Sequence, residues 1–153
     1  MAAVLPYLNF PGNCAEAFDF YASVFGIQPA VRMQFKDIPA DNYHPDEAER
    51  VMHIALPMCN GTMLMGADRP SGMGTITRGN DFFISLGTGS EEETHRLFEG
   101  LSAGGRVTMP LHDAMWGATF GMFVDKFGIQ WMVNYDRNHA ASQAETSRTE
   151  AMA

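Results

Sequence analysis

PYLNFPGNCAEAFDFY, residues 6–21, compresses a short apolar run, a turn and a helix start into one stretch. Tyr7-Leu8-Asn9-Phe10 is brief and bounded by Pro and Gly, which reads as a strand rather than a helix. Asn13-Cys14-Ala15-Glu16 has the form of a capping box. A short polar side chain can accept from an orphan backbone N–H, and a carboxylate three residues on can reach back. Ala17, Phe18, Tyr21, Val24 and Phe25 then recur at helical spacing until Gly26 supplies a stop.

The same grammar returns further along. Phe82-Phe83-Ile84-Ser85-Leu86 predicts a strand, and Ser90-Glu91-Glu92-Glu93 predicts a second capping box. Leu97, Phe98 and Leu101 mark its helix, which Gly104-Gly105 should end. Three strands are expected after each helix. In the first half they are Ala30 to Phe35, Val51 to Met58 and Thr62 to Gly66, the last two joined by a hairpin at Asn60-Gly61. In the second half they are Arg106 to Met109, Thr119 to Val124 and Ile129 to Tyr135.

Strand–helix–three strands therefore occurs twice, which predicts an α+β protein of two βαβββ modules. The first covers residues 1–66 and the second 80–136, with a Gly- and Pro-rich connection at 67–79 and a disordered tail at 137–153. A half this small could not bury its sheet alone.

Strand alternation assigns faces. Ile54 and Leu56 share an apolar side, leaving His53, Ala55 and Pro57 opposite. Across the hairpin, Pro57 should face Leu64 and Ala55 should face Gly66. Phe82, Ile84 and Leu86 oppose Phe83 and Ser85, while Trp131 and Val133 oppose Gln130, Met132 and Asn134.

The 153 residues carry a net charge of -8, which disfavours nucleic acid and anionic membranes as partners. Two cysteines make no disulfide framework, and no CxxC pair suggests zinc. No basic region followed by an apolar run marks a signal peptide, so the chain reads as cytoplasmic. Phosphate loops, nucleophile elbows, HExxH pairs and dinucleotide fingerprints are missing, and no cofactor is expected.

Residues 6–21 resemble the start of the PhnB-like branch of the glyoxalase/bleomycin-resistance (vicinal-oxygen-chelate) superfamily. Met52-His53-Ile54-Ala55, Met63-Leu64-Met65 and the run from Asp125 to Asn134 share the likeness, which extends in order from Pro6 to Tyr135. The resemblance implies a curved mixed sheet around a cleft, helices on the outer face, and homodimers. It also implies that metal-dependent relatives place four His- or Glu-type ligands on equivalent inward strand positions. Here those positions correspond to Pro6, Leu64, Phe83 and Met132, none of which suits a hard or borderline cation. The usual metal site is therefore expected to be absent, and metal-free small-molecule binding leads over catalysis. An enzyme using His53 as base and a structural dimer with a vestigial pocket are the alternatives.

The candidate catalytic residue is His53, as a general base or a donor to a ligand. The competing reading is a histidine satisfied by a neighbouring strand or by Asp68. Candidate ligand-binding residues are Phe83, Ser85, Trp116, Gln130, Met132 and Asn134, with Trp116 either covering the cleft or packing over a dimer seam. Trp131 reads as core. Cys14 lies where a helix dipole lowers a thiol pKa, but its apolar neighbours favour a small buried residue. His112-Asp113 reads as a loop pair, and the acidic stretch from Asp37 to Glu49 as a solvated loop.

Overall fold

The computed structural model describes residues 2–38 and 43–138. The chain divides after Thr77 into two compact units. Most of the expected tail, residues 139–153, lies outside the described residues, as does Asp41 of the acidic stretch.

The first unit runs β1 (Tyr7–Phe10), α1 (Cys14–Phe25), β2 (Val31–Gln34), β3 (Val51–Pro57) and β4 (Met63–Asp68). Its sheet has the order β1-β4-β3-β2, with β1 parallel to β4 and the other pairs antiparallel. The second unit runs β5 (Ile84–Gly87), α2 (Glu91–Ser102), β6 (Arg106–Asp113), β7 (Ala118–Val124) and β8 (Gln130–Asp136). Its sheet repeats the arrangement as β5-β8-β7-β6. The repeated α+β module expected from the sequence is thus present. No helix among the described residues is long and apolar enough to cross a membrane.

Each helix covers one face of its own sheet. In the first unit Leu8, Phe10, Ile54, Leu56 and Leu64 are buried with Phe18 and Tyr21 of α1. Phe18 meets Phe10 and Tyr21 edge-on, at ring-centroid distances of 6.1 and 5.5 Å. In the second, Trp131, Val133 and Phe123 are buried with Leu97, Phe98 and Leu101 of α2. Trp131 is core, as its alternation predicts.

Gly66 is what lets the Phe18 ring approach the first sheet. A Cβ there would stand 2.6 Å from Phe18 Cε2 and 2.9 Å from the Leu8 carbonyl oxygen. Gly66→Ala should therefore lower stability by about 1–3 kcal/mol, read as a lower urea midpoint with an unchanged slope.

The two expected capping boxes differ. Ser90 Oγ accepts from the Glu93 N–H at 3.1 Å, while Glu93 Oε1 accepts from the Gly89 N–H at 3.0 Å. Asn13 makes no side-chain cap bond. Instead the buried carboxylate of Asp68, at the end of β4, accepts from the Cys14 N–H at 2.9 Å. A full negative charge held at the helix N-terminus by the tertiary fold supplants the local cap. Gly26 ends α1 in the left-handed region at φ 69°, as its sequence position predicts.

Several other boundaries move. Ala67 and Asp68 belong to β4, not to the connecting segment. β5 begins at Ile84, leaving Phe82 exposed ahead of it. β6 continues past Met109 to Asp113, so His112 and Asp113 lie on a strand. Pro110 does not end it, because β6 is an edge strand, where a residue without an N–H is tolerated, and its register shifts around this point.

The acidic stretch is not simply solvated. Glu47 is buried, accepts from the Ser71 N–H at 3.0 Å and lies 3.6 Å from Arg50. These hydrogen bonds to Ser71, aided by Arg50 and His44, hold its carboxyl below the ordinary carboxylate range. A depressed folded-state pKa stabilises above the unfolded-state value, about 4.3, and that contribution is lost as pH falls through the lower folded value. Glu47→Gln should therefore lower the melting temperature near pH 7, with the difference from wild type shrinking as the buffer is taken below about pH 4.

Candidate functional site

Because each helix covers one face of its sheet, the opposite faces are where strand side chains can meet a ligand. On the first sheet that open face carries Tyr7, His53, Ala55, Met63 and Met65, and no charged side chain stands among them. Tyr7 Oη and His53 Nδ1 are 3.0 Å apart. The two rings stack at 5.7 Å with 23° between their planes.

His53 is thus satisfied by a neighbouring strand rather than by Asp68. Both Asp68 oxygens are engaged on the helix side, Oδ1 by Cys14 and Oδ2 by the Val51 N–H at 2.9 Å. Burial, then the nearby Cys14, raises the Tyr7 pKa, so the phenol stays protonated. Cys14 is fully buried. Burial first and the Asp68 carboxylate second push its thiol far above the usual range, against a lowering from Arg32. Desolvation thus outweighs the dipole effect expected at a first helical turn.

The hairpin register differs by one residue from expectation. Pro57 pairs with Met63 and Leu56 with Leu64, because the Met58 N–H bonds the Thr62 carbonyl and closes a loop of three residues, not two. Asn60 and Gly61 both take positive φ in that loop, as their identities suggest. A slip of one exchanges the faces. Leu64, only 2% exposed, belongs to the helix-side core, and the open face receives the thioethers of Met63 and Met65.

The open face of the second sheet carries Ser85, Met132, Gln130, Asn134, Phe120 and Met122. Ser85 pairs with Met132, Met122 with Met132, and Phe120 with Asn134, so these side chains adjoin on one surface. Trp116 joins them from the turn before β7. It is 60% exposed, meets the Phe120 ring edge-on at 5.7 Å and donates from Nε1 to Asn134 Oδ1 at 3.5 Å. His112 meets the same Phe120 ring edge-on at 6.1 Å. Gln130 spends its amide nitrogen on the Phe82 carbonyl at 2.7 Å. Phe83 is half-buried and precedes the strand.

The structure therefore gathers Trp116, Asn134, Met132 and Ser85 on one face, and ties Gln130 to the backbone beside Phe82. His53 lies on the first unit's sheet. Sequence reasoning missed Tyr7 and Phe120. Tyr7 could have been found from alternation, since Leu8 and Phe10 flank the opposite face; Phe120 needed the β7–β8 register.

The donor set does not fit the metal centre that the resemblance implies. His53 offers an imidazole on the first open face, beside soft thioethers, and the second offers the imidazole of His112 among amides, a hydroxyl and the thioethers of Met109, Met122 and Met132. Hard and borderline cations need imidazole and carboxylate donors converging within bond reach. Among the described residues no group of three His, Cys, Asp or Glu side chains is placed to hold an ion.

The sequence profile of the Glyoxalase/Bleomycin resistance protein/Dioxygenase superfamily matches residues 5–133. The chain belongs to that superfamily. Within it, the chain is similar to the protein YjdN of Escherichia coli (strain K12), 30% identical over 140 residues that cover 84% of this chain and 92% of that one. Among solved structures, protein PA1353 from Pseudomonas aeruginosa is 37% identical with a TM-score of 0.79, covering 89% of this chain and 98% of its own. A PhnB protein from Bacillus cereus, described as a putative 3-demethylubiquinone-9 3-methyltransferase, has a TM-score of 0.67 over 88% of this chain and 99% of its own. At 24% identity it speaks to the fold alone.

Proposed function

We propose that the protein binds a small amphipathic organic molecule, in the manner of the binding members of its superfamily and without their usual metal site. The observation that carries this reading is Trp116. Its indole is 60% exposed, yet it is held by Phe120 and Asn134 beside a sheet face of mixed thioether, hydroxyl and amide groups. An exposed indole positioned this way offers a flat apolar surface to a planar ligand. Met122 and Met132 supply a pliable surface next to it, and Asn134, Ser85 and Gln130 offer directional hydrogen bonds for a polar end.

Thermal-shift screening of the intact protein against planar amphipathic molecules, antibiotics included, tests the reading. A ligand at 100 times its Kd adds about 2.7 kcal/mol to folding stability, which is several degrees of melting temperature. Trp116→Ala should weaken a hit about tenfold, equivalent to ~1.4 kcal/mol. Silence across a broad library, with well-folded protein, removes the reading. The expected homodimer is tested in the same preparation by light scattering, as twice the chain mass of 16.9 kDa. If Trp116→Ala lowers that mass and leaves ligand shifts unchanged, the indole belongs to a seam between copies.

A further inference from the structure

The Tyr7–His53 pair goes further than a satisfied histidine. It rests on the small-molecule reading and names a second recognition element and the chemistry it takes. We infer that Tyr7 fixes His53 as the tautomer bearing its proton on Nε2, so that this nitrogen is a donor aimed at an acceptor oxygen of the ligand.

A phenol has one proton to give, and among the described residues the acceptor within reach of Tyr7 Oη is His53 Nδ1 at 3.0 Å. Phenol is a better donor than acceptor, and a neutral imidazole nitrogen is a strong acceptor, so the proton belongs between them on the oxygen side. The hydrogen bond made by one ring nitrogen decides the state of the other. With Nδ1 accepting, the neutral ring keeps its proton on Nε2. Stacking at 5.7 Å and 23° holds the ring plane, so the direction of that N–H is set as well.

The surroundings do not oppose this assignment. His53 pairs with Met33 on β2, and Tyr7 pairs with Met65 on β4. The open-face positions around them, Val31, Ala55, Pro57 and Met63, carry no charge. Tyr7 is therefore the titratable group facing His53 across this surface, and its raised pKa keeps it a phenol. Among the described residues no carboxylate is placed on this face to compete for the Nε2 proton. When the ring is protonated, Nδ1–H can donate to the phenol oxygen instead, and Nε2 remains a donor. A base at Nε2 would need the opposite tautomer.

The ligand chemistry this selects is an sp² oxygen carried on an apolar body, either a neutral carbonyl or a carboxylate. Benzamide and benzoate represent the two, and aniline, which presents a donor instead, is the control.

Nitrogen-15 spectra of the imidazole side chains in the full chain test the assignment, with His53 identified by its loss in His53→Gln. The expected result is a bare Nδ1 and a protonated Nε2 in the neutral ring, with both tautomers appearing in Tyr7→Phe. Addition of benzamide or benzoate should shift the Nε2–H signal saturably, and aniline should not. His53→Gln, whose amide nitrogen stands near the Nε2 position, should keep the affinity of the responding probe within about threefold, whereas His53→Asn should lose about tenfold or more. A proton found on Nδ1, a tautomer ratio unaffected by Tyr7→Phe, or no response to either oxygen probe overturns the inference. The tautomer is read without ligand, so its failure is separable from an empty thermal-shift screen, which would count against the binding reading instead.

Discussion

Asp125→Ala should destabilise the protein by about 3–5 kcal/mol, the largest effect expected of any single substitution outside the aromatic core. Asp125 is buried at the turn between β7 and β8. Its Oδ1 accepts from the backbone N–H groups of Phe127 and Ile129, at 2.8 and 3.0 Å. Its Oδ2 accepts from Trp131 Nε1 at 2.9 Å. One carboxylate thus closes the turn and satisfies the polar end of the largest buried side chain of the second core. Removing it strands the buried Ile129 and Trp131 donors and frees the half-buried Phe127 N–H, and each buried donor left unpaired costs about 1–3 kcal/mol. For a chain of this size that corresponds to a melting temperature lower by roughly 6–20 °C. Asp125→Asn should recover only part of the loss. Its oxygen can still accept from the turn, but its NH2 then confronts the Trp131 N–H, donor against donor. Urea unfolding followed by tryptophan fluorescence reports both variants, since Trp131 and Trp116 both lie in the second unit. A loss below about 1 kcal/mol for Asp125→Ala would mean that the turn is held by other means.

Asp68→Ala is the counterpart in the first unit, with an expected loss of about 2–4 kcal/mol. The carboxylate is 2% exposed and joins three elements: it ends β4, caps α1 through the Cys14 N–H, and holds the start of β3 through the Val51 N–H. Asn13 does not share the cap: its side chain makes no cap bond, and its Oδ1 is buried with no hydrogen-bond partner among the described residues. The charge also faces the positive end of the helix dipole, so replacement by a neutral group removes that interaction too. Far-UV circular dichroism during urea unfolding should show a lower midpoint for Asp68→Ala, with Asp68→Asn between it and wild type. Equal stability of Asp68→Ala and wild type would refute the capping role.

These two aspartates show where reading the chain alone stops. The sequence places Asp125 at the start of the run from 125 to 134 and offers Asp68 as a partner for His53, but nothing local marks either as an anchor. A buried carboxylate is recognisable only by the N–H groups around it, and Cys14 lies far from Asp68 in sequence. The candidate site divides the same way. The open-face positions of His53, Ser85, Gln130, Met132 and Asn134 follow from alternation within single strands, a local property with period two. Tyr7 against His53, and Phe120 against Trp116, depend on which strands pair and in which register.

Local chemistry fixed the number, type and order of elements, because capping residues, helical spacing and Gly or Asn at turns act over a few residues and occur here twice. The register of the Asn60-Gly61 hairpin was decided only in the folded sheet. Two- and three-residue loops are both compatible with those letters, and closing the second kind sends Leu64 to the core and the methionines to the open face. Pairing between distant segments is a property of the packed whole, and that is where the hydrogen-bond partners of this protein's candidate ligand contacts were chosen.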